Sequence, residues 1–134
     1  MSATCRLLYV EDTPEDQRML NEAADLAQVP ICIISASTAD EAIRLLLRDE
    51  PYHVLLVDWN LPAVTGAEFL SKVRTVVPDL PVIVVSGEPG TVDTKVTSQF
   101  AVQTIRRKPL SLDDWEELAR QLYGFCEGVQ VASR

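Results

Sequence analysis

Five short apolar runs alternate with amphipathic stretches along this chain, and four of the runs end on or lead to residues that carry chemistry. Leu7-Leu8-Tyr9-Val10 ends in Glu11-Asp12, and His53-Val54-Leu55-Leu56-Val57 ends in Asp58. Val82-Ile83-Val84-Val85 ends in Ser86-Gly87, and Val102 to Ile105 leads to Lys108-Pro109. A carboxylate closing a run that reads as a buried strand is costly unless it has partners or work to do.

The runs predict strands at about 6–10, 31–35, 53–57, 82–85 and 102–107. The stretches between them predict helices. Thr13-Pro14-Glu15-Asp16 reads as a hydroxyl cap with proline in the first turn, followed by Met19, Ala23, Leu26 and Ala27 at helical spacing. Thr38-Ala39-Asp40-Glu41 reads as a capping box before Ala42, Leu45 and Leu46. A third helix is expected over 67–76 with Phe69, Leu70 and Val73 inward, and a weaker, more polar one over 92–100. The last opens at Ser111, carries Leu112, Trp115, Leu118, Ala119 and Leu122, and is expected to end at Gly124. That places one domain over residues 1–124 and a tail over 125–134.

Five strand-helix units with continuously apolar strands imply an α/β fold, a parallel sheet covered on both faces. Ligands of such sheets bind outside the carboxyl ends of the strands, where the strand order switches. Glu11, Asp12, Asp58, Ser86 and Lys108 all fall on that edge. Each alone has a bland reading: an acidic capping loop, a turn residue before Pro62, a turn, a surface dipeptide. Their coincidence on one edge is what argues for a site.

Net charge is −8, and the only basic cluster is Arg106-Arg107-Lys108, so nonspecific nucleic-acid binding is not expected. Hydrophobic residues make up 47% of the chain, ample for one core. No apolar stretch approaches a membrane span, and the N-terminus lacks a signal-peptide layout, so a cytoplasmic location is expected. Cys5, Cys32 and Cys126 lack metal-ligand spacing and are expected as reduced thiols.

Three carboxylates brought together repel one another, and a divalent cation relieves that repulsion. Magnesium prefers oxygen ligands and often shares its site with a phosphate. Asp12, Asp58 and the backbone carbonyl of Asn60 would serve, with Glu11 assisting. A carboxylate is also a nucleophile toward phosphorus. Phosphoryl transfer then rests on positioning and on neutralising the equatorial oxygens, for which Lys108, Ser86 and nearby backbone N–H groups are available. Gly87 leaves room for close backbone approach, and Pro109 fixes the chain after Lys108, with a cis bond as one way to do so.

Glu11-Asp12, Asp58, Ser86-Gly87 and Lys108-Pro109, one set per strand end and in that order, resemble the receiver domain of two-component response regulators. Asp58-Trp59-Asn60-Leu61-Pro62 followed by Gly66 is similar to the chemotaxis regulator of that family. The resemblance covers about residues 5–123 and implies a flavodoxin-like, doubly wound five-stranded parallel sheet of order 2-1-3-4-5 with five helices. It implies Asp58 as phosphoacceptor, Glu11 and Asp12 as magnesium acids, Ser86 as the switch hydroxyl and Lys108 as the phosphate-binding lysine. The donor would be a phosphohistidine on a sensor histidine kinase or a histidine phosphotransfer protein. His53, the only histidine, is expected to be a structural or surface residue rather than a relay donor. Asn60 and Glu88, each two residues beyond a site residue, are expected to modulate the lifetime of the acyl phosphate.

The fifth strand departs from the family. Ile105 stands where the family usually has an aromatic ring that moves with the switch hydroxyl, and Arg106 stands where it prefers an apolar residue. The partner face of the fourth helix, fifth strand and fifth helix is therefore expected to work differently, with Phe100 as a candidate substitute for the ring. The output is expected to be a change in protein–protein interaction by a monomer or weak dimer, without nucleic acid or membrane. A stand-alone receiver is favoured if the chain is complete; one excised from a longer regulator is the other case.

Two enzyme-like or carrier readings compete. A magnesium-dependent phosphatase with an aspartyl nucleophile would use similar groups, but its nucleophile belongs on the first strand with a second Asp two residues on; here Asp58 is followed by Asn60. A flavin carrier of this topology needs a hydroxyl- and glycine-rich loop after the first strand, and Glu11 to Asp16 would repel a phosphate there.

Overall fold

In the computed structural model, which describes residues 4–49 and 51–128, five parallel strands form one sheet in the order β2-β1-β3-β4-β5. The strands are β1 (Cys5–Val10), β2 (Ile31–Ala36), β3 (Val54–Asp58), β4 (Val82–Ser86) and β5 (Thr104–Arg107). The helices are α1 (Pro14–Ala27), α2 (Ala39–Arg48), α3 (Gly66–Val76), α4 (Thr94–Gln99) and α5 (Leu112–Glu127). This is the doubly wound, flavodoxin-like arrangement expected from the strand ends.

The sheet divides the core in two because successive strand residues point to opposite faces. Leu7 and Tyr9 of β1 join Leu56, Ile83 and Val85 beneath α1 and α5. Leu8 and Val10 join Leu55, Val57 and Val82 on the other face with Phe69, Leu70 and Val73 of α3. The central strands β3 and β4 are buried along their whole length, which is why they read as unbroken apolar runs.

Helix starts follow local chemistry. The side chains of Thr38, Thr65, Asp93 and Ser111 each accept a backbone N–H from the first turn of the helix that follows. Thr13 does not: its hydroxyl makes no cap bond, and Pro14 opens α1 without an N–H to satisfy. The α1 stripe also differs from expectation. Leu20, Ala23 and Ala24 face the core while Leu26 is 59% exposed, since it lies off that stripe by the helix's own rotation. Leu112, at the start of α5, is likewise largely exposed.

The expected fourth helix is shorter, reduced to α4 after a single 3-10 turn at Pro89–Thr91. α5 passes through Gly124 to Glu127, three residues beyond the expected boundary. A helical glycine costs only about 1 kcal/mol, and burial of Cys126 beyond it offsets that. Residues 129–134, most of the expected tail, lie outside the described residues.

Two expectations are corrected. Cys5 and Cys126 are joined as a disulfide linking the start of β1 to the last turn of α5, with Cα atoms 5.8 Å apart. Their separation of 121 residues hid a pairing that burial in one core brings about; Cys32 is free. The Lys108–Pro109 bond is trans, the default preference even before proline, and no cis bond occurs among the described residues. No described helix is long and apolar enough to cross a membrane.

Candidate phosphoryl-transfer site

The strand order switches between β1, which neighbours β2 on one side, and β3 on the other. Parallel register carries Val10 alongside Val57 and Asp58 alongside Val85. Glu11, Asp12 and Asp58 therefore emerge at one level. One carboxylate oxygen from each lies within 4.8 Å of the others. Glu11 and Asp58 are buried and Asp12 is exposed.

Lys108 reaches the same spot from β5. Its Nζ lies 2.6 Å from Glu11 Oε1, 2.6 Å from Asp16 Oδ2 and 3.1 Å from Asp58 Oδ2. The backbone N–H of Lys108 donates to the carbonyl of Ser86 at 2.8 Å, which ties the lysine to the end of β4. Burial works against the ammonium, but Asp16, Glu11 and Asp58 overcome it and raise the lysine pKa above its ordinary value.

Glu11 carries the strain of this arrangement. Burial pushes its carboxyl up to about 7; the Lys108 hydrogen bond opposes this, and the Asp58 carboxylate adds to it. One ammonium shared among several acids thus leaves a buried carboxylate undercompensated. An all-oxygen set with excess negative charge and an open side at Asp12 fits a hard divalent cation.

Ser86 ends β4 one residue past the partner of Asp58 and is 1% exposed. Asp58 and Ser86 share a local geometry. The N–H of Asn60 folds back onto Asp58 Oδ1 at 3.0 Å, and the N–H of Glu88 folds back onto Ser86 Oγ at 3.1 Å. Each turn fixes one side-chain oxygen and leaves Asn60 and Glu88 exposed at the rim. Ile105 lies elsewhere, half-buried and paired in register with Val84, and Phe100 is half-buried with the core beside α3 and α4. His53 is structural: its Nδ1 accepts the Arg6 N–H at 3.0 Å.

Sequence reasoning missed three contributors. Asp16 pairs with Lys108 from the first turn of α1. Tyr9 is fully buried, and its hydroxyl donates to Glu11 Oε1 at 3.1 Å; burial first, and Glu11 next, raise its pKa well above the ordinary phenol value, so it stays a donor. The i, i+2 spacing of Tyr9 and Glu11 on one strand face was the available signal. The third is the close approach of the Trp59 ring to Gly66, where any Cβ would collide with the indole. Gly66→Ala should push the half-buried Trp59 ring outward, at a cost of about 1–2 kcal/mol. A red-shifted Trp emission and a lowered Tm are the expected readouts; an unchanged spectrum would contradict the contact.

The fold and this constellation define a class of phosphoryl-accepting signalling module. The sequence profile of the response regulator receiver domain matches residues 7–120, and the chain belongs to that family. It is 29% identical over 130 residues to a chemotaxis protein CheY homolog of Campylobacter jejuni, covering 95% of this chain and 98% of the relative. It is 40% identical over 81 residues to the hydrogenase transcriptional regulatory protein HoxA of Cupriavidus necator, covering 60% of this chain but only 16% of that longer protein. Among solved structures it is similar to the response regulator TrrA of Thermotoga maritima in complex with Mg(2+)-BeF, with a TM-score of 0.71, 21% identity, and coverage of 89% of this chain and 99% of that one.

Proposed function

We propose that Asp58 accepts a phosphoryl group from a phosphohistidine on a sensor histidine kinase or histidine phosphotransfer protein, with magnesium held by Glu11, Asp12, Asp58 and the Asn60 carbonyl. The observation that carries this is the convergence of three carboxylates with the Lys108 ammonium at the strand-order switch. An oxygen of Asp58 attacks phosphorus, a P–O bond forms, and the P–N bond to the donor imidazole breaks with the electron pair leaving on nitrogen. Lys108, already 3.1 Å from Asp58, is placed to balance charge on a phosphoryl oxygen. The Ser86 hydroxyl, whose oxygen accepts the Glu88 N–H, keeps its own proton to donate to a phosphoryl oxygen, and Asn60 and Glu88 at the rim modulate access of water. Bound magnesium would supply charge neutralisation at the phosphoryl oxygens. TrrA, in complex with Mg(2+)-BeF, supports that choice of cation.

The domain acts as a signalling module in the cytoplasm, read by a downstream protein at the face of α4, β5 and α5. Ile105 bears on how that face responds, because an aliphatic side chain has no ring to swing inward. Incubation with acetyl phosphate tests the assignment. Intact mass should rise by one phosphoryl group in magnesium and stay unchanged in EDTA. Labelling that ignores EDTA would refute the metal role, and multiple turnover of a phosphate ester would favour the phosphatase reading.

A further inference from the structure

We infer that Tyr9 is a positioning residue for the metal acid Glu11, acting through the buried hydrogen bond from its hydroxyl; this rests on the reading of Glu11 as a magnesium ligand. Tyr9 and Glu11 are both fully buried, and the hydroxyl lies 3.1 Å from Oε1. The ring sits in the core beneath α1 and α5 with Leu7, Leu20, Ala23 and Ala119. Phenylalanine would fill that space equally well, so packing alone does not account for the hydroxyl. An uncompensated hydroxyl in such a core is unfavourable, and Glu11 is the acceptor that compensates it.

Three donors fix the Glu11 carboxylate. Oε1 accepts from Tyr9 and pairs with Lys108; Oε2 accepts the backbone N–H of Thr13 at 3.2 Å. A divalent cation at the Glu11 carboxylate repels the Lys108 ammonium beside it and weakens that pairing. Asp16 and Asp58 give the ammonium other partners. The donors that can stay with Glu11 through metal binding are then the two neutral ones, Tyr9 and the Thr13 N–H. Tyr9 is the one that a side-chain replacement removes. Hydrogen bonds from outside the ligand set hold metal ligands in orientation, and their loss typically costs 10–100-fold in metal affinity.

Titration of the full chain with magnesium chloride tests this, followed by thermal shift and by the emission of Trp59 beside Asp58. Tyr9→Phe should raise the half-saturating magnesium concentration about tenfold. Leu20→Val, which trims the same core away from the site, should lower Tm and leave that concentration unchanged. Glu11→Gln, which removes the ligand itself, should cost more magnesium affinity than Tyr9→Phe does. Wild-type affinity in Tyr9→Phe, or an equal loss in Leu20→Val, would overturn the positioning role while leaving the metal reading intact. A wild-type protein that does not respond to magnesium would instead overturn the metal reading, and this inference with it.

Discussion

Asp58→Asn should fold normally and take up no phosphoryl group. Asp58 is 5% exposed at the end of β3, with Oδ1 held by the Asn60 N–H and Oδ2 facing Lys108. An amide of the same shape keeps the oxygen that accepts the N–H, so the turn survives. It removes the second carboxylate oxygen, and an amide nitrogen whose lone pair is delocalised does not attack phosphorus. It deletes one of the negative charges crowding Glu11 and sets an amide nitrogen against Lys108, whose ammonium keeps Glu11 and Asp16, so stability should change little. Acetyl phosphate with magnesium, followed by intact mass, gives the readout: one group on the wild type, none on the variant. Asp12, exposed and with a carboxylate oxygen within 4.8 Å, is the solvent-accessible alternative acceptor. Peptide mapping that found Asp12 labelled in the wild type, or equal labelling of the two proteins, would sink the assignment of Asp58.

Much of this architecture was legible because parallel strands buried on both faces must be continuously apolar, and their ends must then be where polar residues begin. That logic located β3 and β4 to within one residue and put Glu11, Asp12, Asp58, Ser86 and Lys108 on one edge. It failed where the signal was not periodic. α1 contains enough apolar residues to suggest two stripes, and only packing against α5 selects Leu20, Ala23 and Ala24 over Leu26. α5 runs through a glycine because contacts beyond it, at Cys126, outweigh propensity. The Cys5–Cys126 pairing and the Lys108–Asp16 ion pair join residues 121 and 92 positions apart, and no local pattern announces either. Tyr9 was visible as a strand residue but not as a donor, since within an apolar run only its i, i+2 spacing to Glu11 sets the phenol apart from a packing ring.

Glu11→Gln should make the metal-free protein more stable at alkaline pH while removing its affinity for magnesium. Burial raises this carboxyl from an ordinary 4.5 to about 7. The folded chain therefore binds that proton more tightly than the unfolded chain does, so the contribution is complete below pH about 4.5 and is lost as the pH climbs through about 7. At pH 8 the charged form costs the folded state roughly 3 kcal/mol. Glutamine keeps the oxygen that Tyr9 and Lys108 address and carries no charge, but its NH2 cannot accept the Thr13 N–H, so it recovers part of that amount and flattens the pH dependence. Denaturant melts of both proteins in EDTA, at pH 5 and pH 8, measure the difference. Magnesium should stabilise the wild type by mass action and leave the variant nearly unmoved. A variant that is less stable than the wild type at pH 8 would show that the Lys108 pairing outweighs the burial of charge, and that Glu11 is held for structure rather than kept under tension for a cation.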